Sequence, residues 1–210
     1  LHISSTINTI EQGAIFGCDN IESITIPFIG ESKTSSNNFF GYIFGANDYF
    51  ENASYIPLNI KQVNILEGIT KIHDLAFYKC VSIQELKLPN SLVSIGNNGI
   101  RECTSLEKLI IPSSVTSIGE YAFLGCTSLK EITIPESLTT LSYGVFSQCT
   151  SVENIYYDST IEKWFNISFK DSGSVPQGNH IYMRNNNSEW EEVTEIEIPN
   201  TITSIYKYQF

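Results

Sequence analysis

The centre of the chain repeats itself with a period of 23 residues. Residues 90–112 read NSLVSIGNNGIRECTSLEKLIIP, and residues 113–135 read SSVTSIGEYAFLGCTSLKEITIP. Cysteine and proline keep this period at Cys80, Cys103, Cys126, Cys149, Pro89, Pro112 and Pro135. A large apolar residue stands three positions before each cysteine, at Ile15, Phe77, Ile100, Phe123 and Phe146. Because a fixed period of this length is typical of repeats that bury their apolar faces against one another, the sequence predicts a solenoid.

Each unit carries the signals of short β-strands. In LKEITIP, residues 129–135, Ile132 and Ile134 alternate with Glu131 and Thr133, and Pro135 ends the run. A second alternating piece, SVTSI, precedes GEYAFLGCTS, which is too short for a full helix and predicts a helical or 3₁₀ turn. Stacked units would pair their strands in parallel, about 4.8 Å apart. We expect such strands near Ile3, Ile26, Ile65, Leu88, Ile111, Ile134, Tyr157 and Ile198.

The repeat pattern, LxxLxIPxSVTSIGxxAFxGCTS, resembles the BspA-like leucine-rich repeats of bacterial surface proteins. The resemblance covers about three-quarters of the chain and includes four consecutive near-consensus units. It implies a leucine-rich-repeat solenoid of the α/β horseshoe class, mostly β, with stacked parallel short strands and helical or 3₁₀ turns on the convex side. It also implies a cell-surface or secreted protein with a binding role described as adhesion.

Two stretches interrupt the period, and they define the expected organisation of the chain. We expect residues 1–210 to form a single solenoid of 23-residue units, cut within a repeat at both ends. Enlarged rungs are predicted at about 28–58 and 159–192, where extra residues separate the equivalent positions of successive units. Within the second enlarged rung, residues 180–183 and 190–193 flank an Asn-rich turn and predict a β-hairpin.

The interruptions are rich in aromatic residues, which have two interpretations. The first carries Phe39, Phe40, Tyr42, Phe44, Tyr49, Phe50 and Tyr55. Most of these rings are expected to fill the core of the enlarged rung. Tyr49, Phe50 and Tyr55 lie among polar residues and are the candidates for exposed contacts with a protein or a glycan. In the second interruption, Trp164 and Trp190 are predicted to be core residues.

The cysteines and histidines do not point to catalysis, a metal or a cofactor. The five cysteines are odd in number, and each lies in the same slot of its unit, so free buried thiols are predicted rather than disulfides. The chain has no CxxC pair, phosphate-binding glycine loop, GxSxG or HExxH motif. Pairing Cys80 with His73 as nucleophile and base is disfavoured because the cysteine slot faces inward. The sequence therefore predicts no enzyme and no cofactor.

Charge and hydropathy exclude two classes of partner. The formal net charge is −11 and the pI is near 4.6, so an anionic phosphate backbone or lipid surface would be repelled. No apolar run reaches the roughly 18 residues of a membrane helix. Nucleic-acid binding and membrane insertion within this segment are therefore not expected.

The remaining function is binding by the outward-facing side chains of the strands, which line the concave face of such a solenoid. The candidate contacts at the centre of this face are Glu85, Lys87, Lys108, Ile110, Glu131, Thr133, Asn154 and Tyr156. The leading hypothesis is a cell-surface or secreted module that binds an extracellular or host protein. The alternatives are a carbohydrate-binding or sensing module that uses the aromatic interruptions, and a structural stalk without a ligand.

Overall fold

The computed structural model describes residues 1–178, 180–185 and 187–205. The elements are mostly short strands. In chain order they are β1 Ser23–Ile26, β2 Gln62–Ile65, β3 Lys71–Ile72, β4 Glu85–Lys87, β5 Ser94–Ile95, β6 Lys108–Ile110, β7 Ser117–Ile118, β8 Glu131–Pro135, β9 Thr140–Leu141, β10 Asn154–Asp158, β11 Ser168–Phe169, β12 His180–Arg184 and β13 Trp190–Glu192. The helical elements are α1 Asn52–Tyr55, α2 Ile161–Trp164 and 3₁₀ helices at Phe40–Phe44, Tyr49–Glu51 and Ser172–Ser174.

One long sheet forms a face of the molecule, in the order β1-β2-β4-β6-β8-β10-β12-β13. The strands from β1 to β12 are parallel, and equivalent residues of successive repeats pair directly, as in Glu85 with Lys108 and Lys108 with Glu131. Only the last pair, β12 with β13, is antiparallel among the strands of this sheet that the structure describes. The predicted solenoid of stacked parallel strands is confirmed.

A second face is built from the shorter alternating piece of each unit. Strands β3, β5 and β7 form a three-stranded parallel sheet, and β9 pairs in parallel with β11. The apolar member of each two-residue strand points inward, so that Ile72, Ile95 and Ile118 form a buried column. The core lies between the two faces and runs the length of the stack.

The turns that connect the faces are also linked from rung to rung. The backbone N–H of Phe77 donates to the carbonyl of Gly99, and Phe123 donates in the same way to Val145. Each turn uses the left-handed region twice, one residue before the cysteine and five residues before it. These positions are Gly13, Gly17, Leu75, Lys79, Asn98, Glu102, Tyr121, Gly125, Gly144 and Gln148. The conformation is uncommon for residues with a side chain, so it is held by the ladder of bonds between turns.

The cysteine slot of the central repeats places its thiol against the neighbouring rung. The Sγ atoms of Cys103, Cys126 and Cys149 donate to backbone carbonyls of the preceding unit at 3.1–3.2 Å. With Cys80 they are buried and free, as predicted. Cys18 is also free but exposed, so its predicted burial is wrong. Among the described residues, its slot lacks the preceding-unit carbonyl that accepts from the thiols of Cys103, Cys126 and Cys149.

This arrangement predicts a single reactive thiol in the folded chain. Burial raises the pKa of the Cys103 thiol, and a buried thiol is also closed to reagents. We expect iodoacetamide to label Cys18 alone under native conditions and all five cysteines after denaturation, as read by mass spectrometry. A reducing agent should leave the melting temperature unchanged. Labelling of a second cysteine in the folded protein would contradict the buried thiol ladder.

The first interruption folds into a compact helical insertion packed on the core. Phe39, Phe40 and Phe44 are buried, and Phe40 has its ring centroid 5.3 Å from both Phe44 and Phe77. The prediction that most of these aromatics fill the core is confirmed for these three. The side chain of Asn52 is fully buried, and its amide bonds to backbone groups of Gly41 and Tyr78. The insertion is therefore tied to the neighbouring repeat by polar as well as apolar contacts.

The second interruption differs from the sequence prediction. The hairpin of β12 and β13 exists, but it lies within the long sheet because β12 stacks on β10 as the next parallel strand. The strand predicted near Ile198 is wrong, since residues 194–199 form none and Ile198 is 49% exposed. Trp164 is buried, as predicted, against Tyr157 and Phe169. The sheet edge that the next unit was expected to occupy is taken by the hairpin.

Candidate functional site

The outward-facing side chains of the long sheet form two parallel rows on the face that the repeat pattern predicts to be concave, here called the concave face. The strand pairing sets each row. The first row contains Ser23, Gln62, Glu85, Lys108, Glu131, Asn154 and His180. The second row contains Thr25, Asn64, Lys87, Ile110, Thr133, Tyr156 and Tyr182. All eight candidate contact residues of the centre lie in these two rows, on the neighbouring strands β4, β6, β8 and β10.

Polar contacts between neighbouring strands order the first row. The hydroxyl of Ser23 donates to the Gln62 amide oxygen at 3.1 Å, and the Gln62 amide donates to the Glu85 carboxylate. Lys108 Nζ lies 2.6 Å from Glu131 Oε2. These groups are partly exposed, so each ion pair contributes little to stability. Their effect is to hold charged side chains at defined positions on the face.

A groove of about 700 Å³ lies on the face at strands β2, β4 and β6. Four of the candidate contact residues line it, namely Glu85, Lys87, Lys108 and Ile110. Ile110 is 56% exposed, which is unusual for a large aliphatic side chain on a strand. The groove is also lined by Lys61, which lies just before β2. A defined concavity with a few apolar and several charged groups is the kind of surface that ligand sites use.

The charge of this groove differs from that of the chain. Its lining includes three lysines, Lys61, Lys87 and Lys108, and two glutamates, Glu85 and Glu107. The whole chain carries 12 basic and 23 acidic residues. Lys87 lies 3.3 Å from Glu85, and Lys108 is paired with Glu131, whereas Lys61 forms no ion pair with the residues the structure describes. The groove is thus less acidic than the chain as a whole.

An aromatic cluster occupies the end of the concave face next to the hairpin. The rings of Tyr156 and Tyr182 are stacked, with centroids 4.8 Å apart and planes 17° apart. Trp190 packs on Tyr156 in a T-shaped arrangement, with 5.1 Å between the ring centroids and 70° between the planes. The guanidinium carbon of Arg184 lies 3.8 Å from the centre of the Trp190 ring, and its Nε lies 2.7 Å from Asp158 Oδ1.

Sequence reasoning found one member of this cluster and missed the others. Tyr156 was a candidate contact, but Trp190 was predicted to be a core residue, which is wrong because it is only half-buried on the concave face. Tyr182 and Arg184 reach the cluster because β12 pairs with β10 in register. The alternation in HIYMR was the available signal, since it places His180, Tyr182 and Arg184 on one face of a strand.

The candidate contacts of the first interruption lie away from the concave rows, beside the turns. Phe50 is 63% exposed, and Tyr49 and Tyr55 are half-buried. The Phe50 ring centroid lies 5.8 Å from that of Tyr78. Lys79 Nζ and Arg101 Cζ lie 5.1 and 5.6 Å from the centre of the same Tyr78 ring. Their role in ligand contact stays a prediction.

The described ranges contain no group of three or more His, Cys, Asp and Glu side chains placed to hold a metal ion. They also contain no helix whose length and apolar character would let it cross a bilayer.

Comparison with known proteins agrees with the repeat pattern and the fold. The family described as BspA type leucine rich repeat region matches residues 1–44 and 48–175, in six copies. These ranges include the concave strands from β1 to β10. No curated protein matches the sequence significantly.

Several solved structures are similar to this chain. A leucine-rich repeat protein of T. pallidum is 22% identical with a TM-score of 0.55, over 80% of this chain and 72% of its own. A leucine-rich repeat protein from Bacteroides ovatus is 26% identical with a TM-score of 0.51, over 74% of this chain and 39% of its own. The pneumococcal vaccine antigen PcpA is 23% identical with a TM-score of 0.57, over 80% of this chain and 37% of its own. The chain thus spans well under half the length of the last two, and these likenesses show the shared fold.

Proposed function

We propose, because the chain belongs to the BspA-type leucine-rich repeat family, that it is a binding module of a cell-surface or secreted protein and holds a protein partner on its concave face. Catalysis has no part in this proposal. The partner is an extracellular or host protein, and the biological role is adhesion.

The observation that carries the proposal is the groove at strands β2, β4 and β6. It combines an exposed apolar side chain, Ile110, with lysines and glutamates held at fixed positions. Fixed, partly paired charges around an apolar centre favour recognition of a folded protein surface. A partner with a complementary charge pattern is attracted, whereas one with like charges at these positions is repelled. Lys61, which forms no ion pair with the described residues, favours a partner segment that presents a carboxylate.

The placement outside the cell rests on relatedness. The family resemblance implies surface or secreted proteins, and one similar structure is that of a pneumococcal protein described as a vaccine antigen. The exposed Cys18 does not indicate whether the protein lies inside or outside the cell.

The test is a binding screen of the chain on arrays of extracellular-matrix and serum proteins, followed by charge-reversal variants. For a protein bound in the groove, Lys61→Glu and Lys108→Glu should each weaken binding about ten-fold or more at low salt, because each replaces an attraction with a repulsion. Lys170→Glu is the matched control, since Lys170 is exposed, lies outside the groove lining and changes the net charge equally.

Two results would contradict the proposal. If Lys170→Glu weakened binding as much as Lys61→Glu, net charge rather than the groove would govern the interaction. If no array protein bound the chain, the structural stalk would become the better explanation of the repeats.

A further inference from the structure

The second row of the concave face has a notch at Thr133. Thr133 pairs with Ile110 on one side and with Tyr156 on the other, and both neighbours carry much larger side chains. Two strand spacings, about 4.8 Å each, separate Ile110 from Tyr156. That distance leaves room above the short threonine for one flat ring between an aliphatic and an aromatic wall.

The aromatic wall is held in place before any ligand arrives. One face of Tyr156 is stacked on Tyr182, and Trp190 packs on Tyr156 in a T-shaped arrangement with the ring planes 70° apart. Trp190 is in turn fixed by the guanidinium of Arg184. The face of Tyr156 that points away from Tyr182 is the one that borders the notch. A ring already fixed in its bound orientation loses little conformational entropy on binding.

Polar groups around the notch are available for hydrogen bonds. The hydroxyls of Thr133 and Tyr156 form no hydrogen bond with the residues that the structure describes, and neither does the hydroxyl of Tyr182. Loss of hydration and the Glu192 carboxylate raise the pKa of Tyr182, so its hydroxyl remains a donor at neutral pH. The Lys108–Glu131 ion pair forms one rim of the notch, two residues before Ile110 and Thr133 on their strands. The Asp158–Arg184 ion pair lies beyond the opposite rim, two residues after Tyr156 and Tyr182.

The charges at this site favour a neutral ligand. Glu131 is paired with Lys108 at 2.6 Å and Asp158 with Arg184 at 2.7 Å, and Glu192 lies 2.5 Å from His180 Nδ1. A cationic ligand would have to break these pairs, and an anionic one would approach a chain of net charge −11. A large apolar ligand would bury polar side chains on both rims without partners.

We propose that the notch between Ile110 and Tyr156 binds a pyranose ring of a neutral oligosaccharide. The C–H groups of one sugar face carry a weak positive charge and pack on the negative face of the Tyr156 ring. The sugar hydroxyls then accept from and donate to Thr133 and the paired charges of the rims. This site shares Ile110 and Lys108 with the protein-binding groove, so the two proposals are distinguished by residues that belong to one site alone, Lys61 for the groove and Thr133 for the notch.

The experiment measures binding of cellohexaose, chitohexaose and isomaltohexaose to the chain by isothermal titration calorimetry, with heparin oligosaccharide as the anionic probe. Thr133→Phe should fill the notch and weaken binding of the neutral probe at least about ten-fold. Phenylalanine suits an outward strand position, so the fold should persist. Tyr156→Ala should have a similar effect by removing the wall.

Matched controls separate this site from its surroundings. Thr25→Phe makes the same substitution in the same row at the far end of the sheet, and it should leave saccharide binding unchanged. Lys61→Glu, which tests the protein-binding groove, should also leave it unchanged. Binding of a neutral probe that Thr133→Phe abolishes and Thr25→Phe preserves would support the proposal. No neutral binding up to about 10 mM, binding of heparin alone, or a Thr133→Phe variant that binds normally would overturn it.

Discussion

Phe123→Ala is expected to lower the free energy of unfolding by about 3–5 kcal/mol, because it removes a fully buried ring from the centre of the stack. The ring of Phe123 is stacked on Phe146 of the next unit, with centroids 5.4 Å apart. Its backbone N–H donates to Val145, so the surrounding turns cannot collapse freely into the cavity. Urea denaturation followed by circular dichroism gives the measurement.

Phe16→Ala is the matched control for this prediction. Phe16 follows the equivalent apolar position of the first unit, but its side chain is 71% exposed. Its replacement should change the free energy of unfolding by less than about 0.5 kcal/mol. Equal effects of the two substitutions would show that the cavity in the central rung does not determine stability.

The strand register could be predicted from the sequence because the repeat length is constant. Once Ile132 and Ile134 are assigned to the core, the period of 23 places Glu85 beside Lys108 and Lys108 beside Glu131 on the opposite face. A slip of one residue would turn every apolar side chain outward, so the pattern leaves no alternative. The residues of the two concave rows on strands β4 to β10 could be predicted from the same register.

The aromatic cluster could not be predicted in this way because its strand lies outside the repeat. His180 pairs with Asn154, a separation of 26 rather than 23 residues, and β12 has no cysteine or proline to mark its place. Trp190 returns on an antiparallel strand, so only long-range pairing brings it to Tyr156. The exposure of Cys18 likewise could not be predicted from the slot, since the same slot is buried at Cys80, Cys103, Cys126 and Cys149.

Asn52→Ala is the second substitution from which a large effect is expected. The Asn52 side chain is fully buried; its Oδ1 accepts from the Gly41 N–H at 2.8 Å and its Nδ2 donates to the Tyr78 carbonyl at 2.9 Å. Alanine would leave both backbone groups buried and unpaired. Since each unpaired group costs about 1–3 kcal/mol, the free energy of unfolding should fall by about 2–5 kcal/mol. Thermal and urea denaturation would measure this loss.

Two further variants identify the cause of that loss. Asn52→Asp keeps the shape and one acceptor but removes the donor to Tyr78 and buries a charge, so it should destabilise the fold at least as much as alanine. Asn166→Ala removes only an exposed amide that donates to the backbone carbonyl of Glu162, so it should leave the free energy of unfolding nearly unchanged. If Asn52→Asp were as stable as the wild type, the Tyr78 contact would not anchor the insertion. The helical insertion would then be held by its aromatic core alone, through the contact of Phe40 with Phe77.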